Sequence, residues 1–244
     1  MIGEELEGAW YILLKDLKTY YFKPPNISWG ILFPLVLSLA FTLRNPAGLV
    51  ELSPGLIAMA ALFGTTSMEA IVITFEKRIG SLERLILAPI SLFTILIGKV
   101  LGGAVFGIVI AGIMTIMSLV FLNTMIIHPI LFTIVLILTI LVHSALGALV
   151  AVSVKEVFEA QTLSNYFRFP MVFLCGVFLP VEAMPFPIQV IAYLLPLTYS
   201  VDSFHQTLTG SLNHLLMLRD IVMLTLFLIA FLTLATRLMK KSLN

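Results

Sequence analysis

Residues 130–154 read ILFTIVLILTILVHSALGALVAVSV and contain no Asp, Glu, Lys or Arg. An α-helix needs about 20 apolar residues to cross the ~30 Å hydrocarbon core of a bilayer, so this run is long enough to span it. The whole chain has the same character, because 60% of its 244 residues are hydrophobic and only 11% are charged. Soluble domains carry about 25% charged residues. The sequence therefore predicts an all-α integral membrane protein.

Five further segments are predicted to cross the bilayer, which gives six transmembrane helices in all. They are residues 27–43, 54–75, 100–122, 166–179 and 221–236, the last extended backward by residues 215–218. The segment 166–179 is the shortest of the five and ends at Pro180. All six fall into one transmembrane permease domain, residues 1–244.

The first 24 residues are predicted to form an amphipathic helix on the membrane surface. Apolar side chains recur at helical spacing, whereas charged ones fall elsewhere on the helix. The apolar set is Leu6, Trp10, Leu13, Leu17 and Tyr20, and the charged set is Glu5, Glu7, Lys15, Asp16 and Lys18. The sequence KPPN at 23–26 is expected to end this helix and turn the chain into the bilayer. Residues 1–23 contain no signal-peptide core, so no cleavage is expected.

Residues 181–213 are apolar but are not predicted to span the membrane. Pro185, Pro187 and Pro196 interrupt them, and the apolar run 188–197 is too short to cross. A pair of short re-entrant or interfacial helices between the fifth and sixth spans fits this composition better.

Lys and Arg positions determine the predicted orientation. With the N-terminus inside, twelve of the 14 basic residues lie in inner segments, and only Arg44 and Arg219 lie outside. Both termini are therefore expected in the cytoplasm. The protein itself is expected in the plasma membrane of a prokaryotic cell.

The chain lacks the motifs of an enzyme or of a metal protein. Gly98-Lys99 is followed by Val100 rather than by Ser or Thr, so no phosphate-binding loop is present. The sequence has no His-Glu-x-x-His zinc motif, no paired catalytic side chains and a single cysteine, Cys175. We expect no metal, no cofactor in this chain and no nucleic-acid partner.

Glu69 is the one acidic residue inside the apolar run 59–75. An ionisable side chain within the membrane is costly and usually faces a cavity or a partner, so Glu69 could lie in a substrate path or a gate. The alternative is that the span ends early and Glu69 lies near the inner headgroups, seven residues before Glu76.

Residues 76–91 read EKRIGSLERLILAPIS and predict a short amphipathic helix in an inner loop. Ser81 could cap its start, and Pro89 would end it. Such a helix either lies on the membrane or docks in a groove of a soluble partner. Spacing alone does not choose between these two interpretations.

This loop resembles the cytoplasmic loop of the type-2 ATP-binding-cassette (ABC) exporter permeases. A second resemblance covers GVFLPVEAMP at 176–185 and IAYLLPLTY at 191–199, which match that family's pattern after the fifth span. Its outer motif corresponds here to Gly176, Pro180, Pro185 and Pro196. The sequence departs from the pattern at Gln206, where a basic residue is common.

The resemblance implies a division of labour between subunits. Two permease copies, as a homodimer in the bilayer, would pair with two copies of a cytoplasmic ABC ATPase, which would hold ATP and magnesium. Glu76, Arg78, Glu83 and Arg84 would contact that ATPase, and Leu82, Leu85 and Ile86 would pack into its groove. The remaining residues of the coupling segment 76–90 with an implied role are Lys77, Gly80 and Pro89.

The substrate path would run between the two copies. Phe106, Phe173 and Phe178 could line it together with Glu69, although phenylalanines in spans can equally face lipid. Gly102, Gly103, Gly107 and Gly112 allow close helix packing, either within one subunit or between two. A stand-alone secondary transporter or channel is the alternative function. The sequence does not distinguish drug, lipid, polysaccharide or ion as substrate.

Overall fold

A computed structural model describes residues 2–21 and 49–241 together with Leu32, Val36 and Leu39. The predicted first span, residues 27–43, and the predicted stop at 23–26 thus lie almost wholly outside the described residues. The described part is helical and contains no strand. Its helices are α1 (Ile2–Asp16), α2 (Leu49–Arg78), α3 (Ser81–Ile86), α4 (Leu92–Phe121), α5 (Pro129–Ser153), α6 (Val157–Leu174), α7 (Phe186–Tyr193), α8 (Pro196–Thr209) and α9 (His214–Lys241).

Four helices of the described part are long and apolar enough to cross a membrane. They are Glu51–Arg78, Leu92–Phe121, Pro129–Ser153 and His214–Lys241, and they confirm four of the predicted spans as apolar helices. α4 begins eight residues before the predicted start of its span, because the Ser91 side chain caps it by accepting from the Thr94 amide. The buried Lys99 therefore lies inside a helix rather than in the preceding loop.

The predicted fifth span is shifted in the structure. α6 runs over Val157–Leu174, so residues 175–179 are not helical. Because it carries polar side chains, α6 is not one of the four apolar helices above. Glu156 and Glu159 form a capping box that starts the helix early. Gly176, with φ of 84°, takes a left-handed conformation just beyond its C-terminal end. The boundaries 166–179 were therefore wrong at both ends.

α2 is the central helix of the described bundle. It packs against α4, α5, α6 and α8, and most of its length is buried inside the protein. α9 packs against α5, α8 and α4 but remains largely exposed along its span. Since no water is available in a bilayer core, this exposed apolar surface is suited to contact with lipid.

α1 lies against α4 through Ala9, Ile12 and Leu13, which are buried. Leu6 and Trp10 of the predicted membrane-facing set are 68% and 56% exposed. The helix is thus apolar on two sides, one packed on the protein and one left outside it. A π-helical turn, Leu17–Tyr21, follows α1 and carries Tyr21 into the core, where it is fully buried.

The segment 181–213 contains the expected pair of short helices, α7 and α8. Prolines begin both, since Pro185 and Pro187 flank the start of α7 and Pro196 is the first residue of α8. Proline suits these positions because the first amides of a helix have no internal acceptor.

Candidate functional site

The inner loop forms a short helix, as predicted, but it is bounded differently. Residues 76–78 belong to the end of α2, and α3 begins only at Ser81. Gly80 occupies the N-cap position with φ of 69°, and the Ser81 hydroxyl makes no capping bond. The prediction of Ser81 as the cap was therefore wrong. The chain needs a left-handed residue to reverse from α2 into α3, and glycine adopts this conformation without a steric penalty.

α3 packs its apolar face on its own chain rather than leaving it free. Leu82 is buried in a cluster that includes Ile12 of α1, Ile73 of α2 and Leu96 of α4. Leu85 and Ile86 are half-buried against the same cluster. The prediction that these three side chains fill an ATPase groove is therefore not supported by their burial.

A different set of side chains is exposed around α3. Ile79 and Leu87 are 51% and 86% exposed, and Glu83 and Arg84 are exposed between them. Pro89 is also exposed. We call Ile79, Glu83, Arg84 and Leu87 the coupling face. Exposed large apolar side chains next to charged ones are typical of a protein interaction surface.

Glu76 lies in a buried ion cluster and not on the coupling face. Its Oε2 accepts from Nζ of Lys99, and its Oε1 lies 2.5 Å from Nζ of Lys15. Lys99 also bonds Asp16, at 2.8 and 3.1 Å to the two carboxylate oxygens. Asp16, Glu76 and Lys99 are fully buried. The cluster joins α1, α2 and α4 and encloses the Glu76 carboxylate, so a direct contact of Glu76 with a partner ATPase stays a prediction that this conformation does not favour.

The charges in this cluster are balanced, with two carboxylates facing two ammonium groups. Burial raises the pKa of the Asp16 carboxyl, and the neighbouring Lys99 opposes that rise. Burial alone would lower the pKa of Lys15, but its hydrogen bonds and charge attraction to Glu76 and Asp16 together outweigh this effect, and the net pKa is raised. Buried charges are tolerated only when they are paired and hydrogen-bonded, as they are here.

Lys77 and Arg78 point toward the inner end of α5 and the start of α6. Nζ of Lys77 donates to the Val154 carbonyl at 3.1 Å, and Arg78 lies 4.0 Å from Glu156. The second contact is largely exposed and contributes little to stability. Both side chains therefore help to hold the two inner loops together.

The beginning of α1 is tied to the end of the same inner loop. The Glu5 carboxylate accepts from the Ser91 amide at 3.1 Å and also from the Ser91 and Thr94 hydroxyls. The Thr94 bond is the main reason that the pKa of Glu5 is lowered. Gly98 of α4 allows this approach, because a Cβ there would lie 2.9 Å from the Ala9 carbonyl oxygen.

Glu69 is fully buried in the middle of α2, which continues to Arg78. The helix therefore does not end near Glu69, and the two predicted positions of this residue relative to the inner headgroups both stay predictions. Its Oε2 accepts from the Tyr21 hydroxyl, and Oε1 has no hydrogen-bond partner among the described residues. Gly103 of α4 and Gly147 of α5 make the room for this side chain. In this conformation Glu69 is enclosed by four segments of its own chain.

The three predicted path phenylalanines lie in different environments. Phe106 is fully buried, with its ring 5.5 Å from that of Tyr21, so it belongs to the core in this conformation, and its place in a substrate path stays a prediction. Phe173 is 62% exposed on α6, and its ring lies 5.8 Å from that of Phe178. Phe178 lines a cavity at the opposite end of the bundle from α3.

This outer cavity has a volume of about 900 Å³. It lies between the start of α2, the loop after α6 and one side of α8. Its lining includes Pro54 and Gly55 of α2 together with Gly176 and Pro180 of the predicted outer motif. Glu51, Glu182 and Asp202 also line it, so its charged groups are mainly acidic. Pro185 and Pro196 shape the two short helices beside it.

A second ion cluster fixes α8 to α9. Arg219 lies 2.6 Å from Asp202 and 2.7 Å from the fully buried Asp220. Gln206 donates to Asp220 at 3.3 Å and accepts from the Asn213 amide at 3.2 Å. Asp202 and Asp220 thus share a cation that comes from α9, and Gln206, where the sequence departs from the family pattern, adds an amide hydrogen bond to Asp220.

The comparisons with known proteins agree with this architecture. A chain of apolar helices with these polar anchors is a multi-pass membrane protein of the transport-permease class. Residues 7–209 match the family described as ABC-2 type transporter, and the chain belongs to that family. It is 26% identical over 178 residues to the inner membrane transport permease YadH of Escherichia coli (strain K12), which covers 73% of this chain and 69% of the relative. The same values hold for YadH of Escherichia coli O157:H7 and of Shigella flexneri.

The family membership defines the protein at a coarse level. It is a membrane subunit of an ABC transporter in the inner or plasma membrane. Such subunits are generally not catalytic, and their ATPase partners carry the hydrolytic activity.

Proposed function

We propose that this chain is the permease subunit of an ATP-driven exporter. In this proposal it is a single domain that crosses the bilayer six times with both termini in the cytoplasm, and α1 lies along the inner surface. Two copies form the translocation unit, and a separate ABC ATPase binds ATP and magnesium and drives transport by hydrolysis. The twelve basic residues on one side support this orientation.

The coupling face is the observation that carries the proposal. The exposed side chains of Glu83, Arg84 and Leu87 combine charge and apolar area on the inner side. A soluble partner can hold this face by burying Leu87 and pairing the charges around it. Ile79 completes the coupling face, and Pro89 extends it.

The packing behind α3 connects the coupling face to the transmembrane helices. Leu82 is set into the cluster formed by α1, α2 and α4, and the Lys99 ion cluster joins the same three helices. Interfaces that are packed this tightly move as units rather than deform continuously. Displacement of α3 is therefore expected to move these helices together.

The proposed function is tested by co-expression with candidate ABC ATPase subunits from the source organism. Arg84→Glu and Leu87→Asp should each lower ATPase co-purification and ATP-dependent transport roughly tenfold or more, because hot-spot losses exceed about 2 kcal/mol. Arg237→Glu is the matched control, since Arg237 is also an exposed inner arginine but lies on α9.

Two outcomes would contradict the proposal. The first is a permease that transports without any ATPase, which would indicate a stand-alone transporter or channel. The second is full coupling in both coupling-face variants, which would show that the ATPase docks elsewhere.

A further inference from the structure

Arg168 is a buried cation that lies outside the coupling face and outside both ion clusters. Its side chain in α6 is only 4% exposed. Its guanidinium donates to the Asn165 side chain and lies 4.5 Å from the centre of the Phe63 ring in α2. Nε of Arg168 has no hydrogen-bond partner among the described residues. Ionisable residues at such positions in membrane proteins usually mark a pathway or a binding site.

No carboxylate neutralises this arginine. All 13 Asp and Glu residues of the sequence fall within residues 2–21 and 49–241, which the structure describes. None of them forms an ion pair with Arg168, whereas Lys99 and Arg219 each have two carboxylate partners. A buried charge is stable only with a counter-charge, so an anion from outside the chain would complete the site.

Further unpartnered polar groups lie on the same face of α6. Gln161, Ser164 and Arg168 are three and four residues apart and therefore share one side of the helix. Oε1 of Gln161 and Oγ of Ser164 have no partner among the described residues, and Ser164 is fully buried. Oγ of Ser67, on the facing helix α2, is also unpartnered.

These groups face one another across one helix–helix contact. Phe63 lies against Arg168, and Ala70 is in one cluster with Ala160, so α2 and α6 run antiparallel. Ser67 therefore falls level with Ser164. Neither hydroxyl bonds the carbonyl four residues earlier, as Thr65 and Thr162 do. We call Ser67, Gln161, Ser164 and Arg168 the α2–α6 seam.

We propose that the α2–α6 seam binds the anionic group, a phosphate or a carboxylate, of an amphipathic substrate during transport. The inference rests on the proposed function and gives its substrate class. The planar guanidinium of Arg168 can donate to two oxygens of such a group, and the serine hydroxyls can donate to the same oxygens. Phe63 provides an apolar wall for the part of the substrate next to the charge.

The seam also leads toward the outer cavity. Cys175, seven residues after Arg168, lines that cavity, and so does Gly55, eight residues before Phe63. At the rise of an α-helix these separations correspond to about 10–12 Å. Glu51 and Glu182 at the cavity repel an anion that arrives from Arg168. Attraction within the bundle followed by repulsion at its outer end favours release to the outside.

Photo-crosslinking to the purified permease tests binding without requiring transport. The probes are photoactivatable dodecyl phosphate and a dodecyltrimethylammonium compound with the same tail and photoactivatable group. Dodecyl phosphate should label peptides that contain residues 63–67 and 161–168, and Arg168→Gln should lower this labelling roughly tenfold or more. Arg168→Lys should retain part of it, and the exposed-site control Arg237→Gln should retain all of it. Equal labelling by the cationic probe, or unchanged labelling of Arg168→Gln, would overturn the proposal.

Reconstitution with the partner ATPase distinguishes a transported substrate from a bound lipid. Dodecyl phosphate should stimulate ATP hydrolysis by the wild-type complex. Arg168→Gln, assembled with the same ATPase, should lose that stimulation, whereas the control Arg237→Gln should keep it. Labelling of the seam without stimulation would show a static lipid site and would overturn the substrate assignment. Failure of the ATPase to bind would contradict the proposed function instead, while the crosslinking result would still decide whether the seam binds anions.

Discussion

Lys99→Ala is expected to lower the free energy of unfolding by about 3–5 kcal/mol, because it leaves buried carboxylates without their shared cation. Asp16 and Glu76 both bond Lys99, and all three side chains are fully buried. The measurement is thermal or denaturant unfolding of the purified protein in detergent. Lys155→Ala removes an exposed lysine from the neighbouring inner loop and should change stability by no more than about 0.5 kcal/mol.

The same variant should also become sensitive to pH. Burial raises the pKa of Asp16 in the folded protein, and loss of Lys99 removes the main opposing effect. A folded-state pKa above the unfolded value means that the folded protein binds more protons, so stability falls as pH rises through this range. The deficit of Lys99→Ala relative to wild type should thus be smaller at about pH 5 than at about pH 8. Adding Glu76→Gln to Lys99→Ala should recover part of the lost stability. A stability deficit of Lys99→Ala that is reduced neither by the lower pH nor by Glu76→Gln would contradict the ion-cluster explanation.

Gly147→Ala is expected to destabilise the protein by about 1–3 kcal/mol through overpacking. A Cβ at Gly147 would lie 2.5 Å from the Thr66 carbonyl oxygen and 2.8 Å from Cβ of Glu69. Neither atom is the end of a flexible side chain, so α2 and α5 would have to separate. The same unfolding measurement reports the effect.

Gly112→Ala is the control for this second prediction, because a Cβ there meets nothing within 4 Å. Alanine favours a helix over glycine by up to about 1 kcal/mol, so this variant should be neutral or slightly more stable. Effects of the same sign and size at both glycines would show that intrinsic helix propensity, and not helix packing, decides the outcome.

The apolar helices could be predicted from the sequence because their signal is local. Residues 130–154 carry no charge, and α5 begins and ends within one residue of that run. The boundaries of α6 could not be read in this way, because Glu159, Gln161 and Arg168 interrupt its apolar pattern. The capping box at Glu156 and Glu159 was the missed sign of a helix start.

Much of the candidate site was hidden because its contacts are long-range. Lys15 and Lys99 were both counted as basic residues of the inner side, yet they meet around Glu76, which is 61 residues from Lys15 along the chain. Charge counting gives the side of the membrane but not the partner of each charge. Arg168 was counted in the same manner, although its position inside the predicted span 166–179 already departed from the apolar pattern.

Helices α2 and α9 should diverge in sequence in different ways. Nearly every position in the span of α2 touches another helix, whereas most of the span of α9 faces outward. Lipid chains adapt to any apolar side chain, so exchanges among Leu, Ile, Val and Phe at Leu218, Val222 and Leu226 of α9 should preserve the fold. In α2 a change of one methyl group alters a contact with a neighbour. Related chains are thus expected to keep hydrophobicity alone along α9, and shape as well as hydrophobicity along α2.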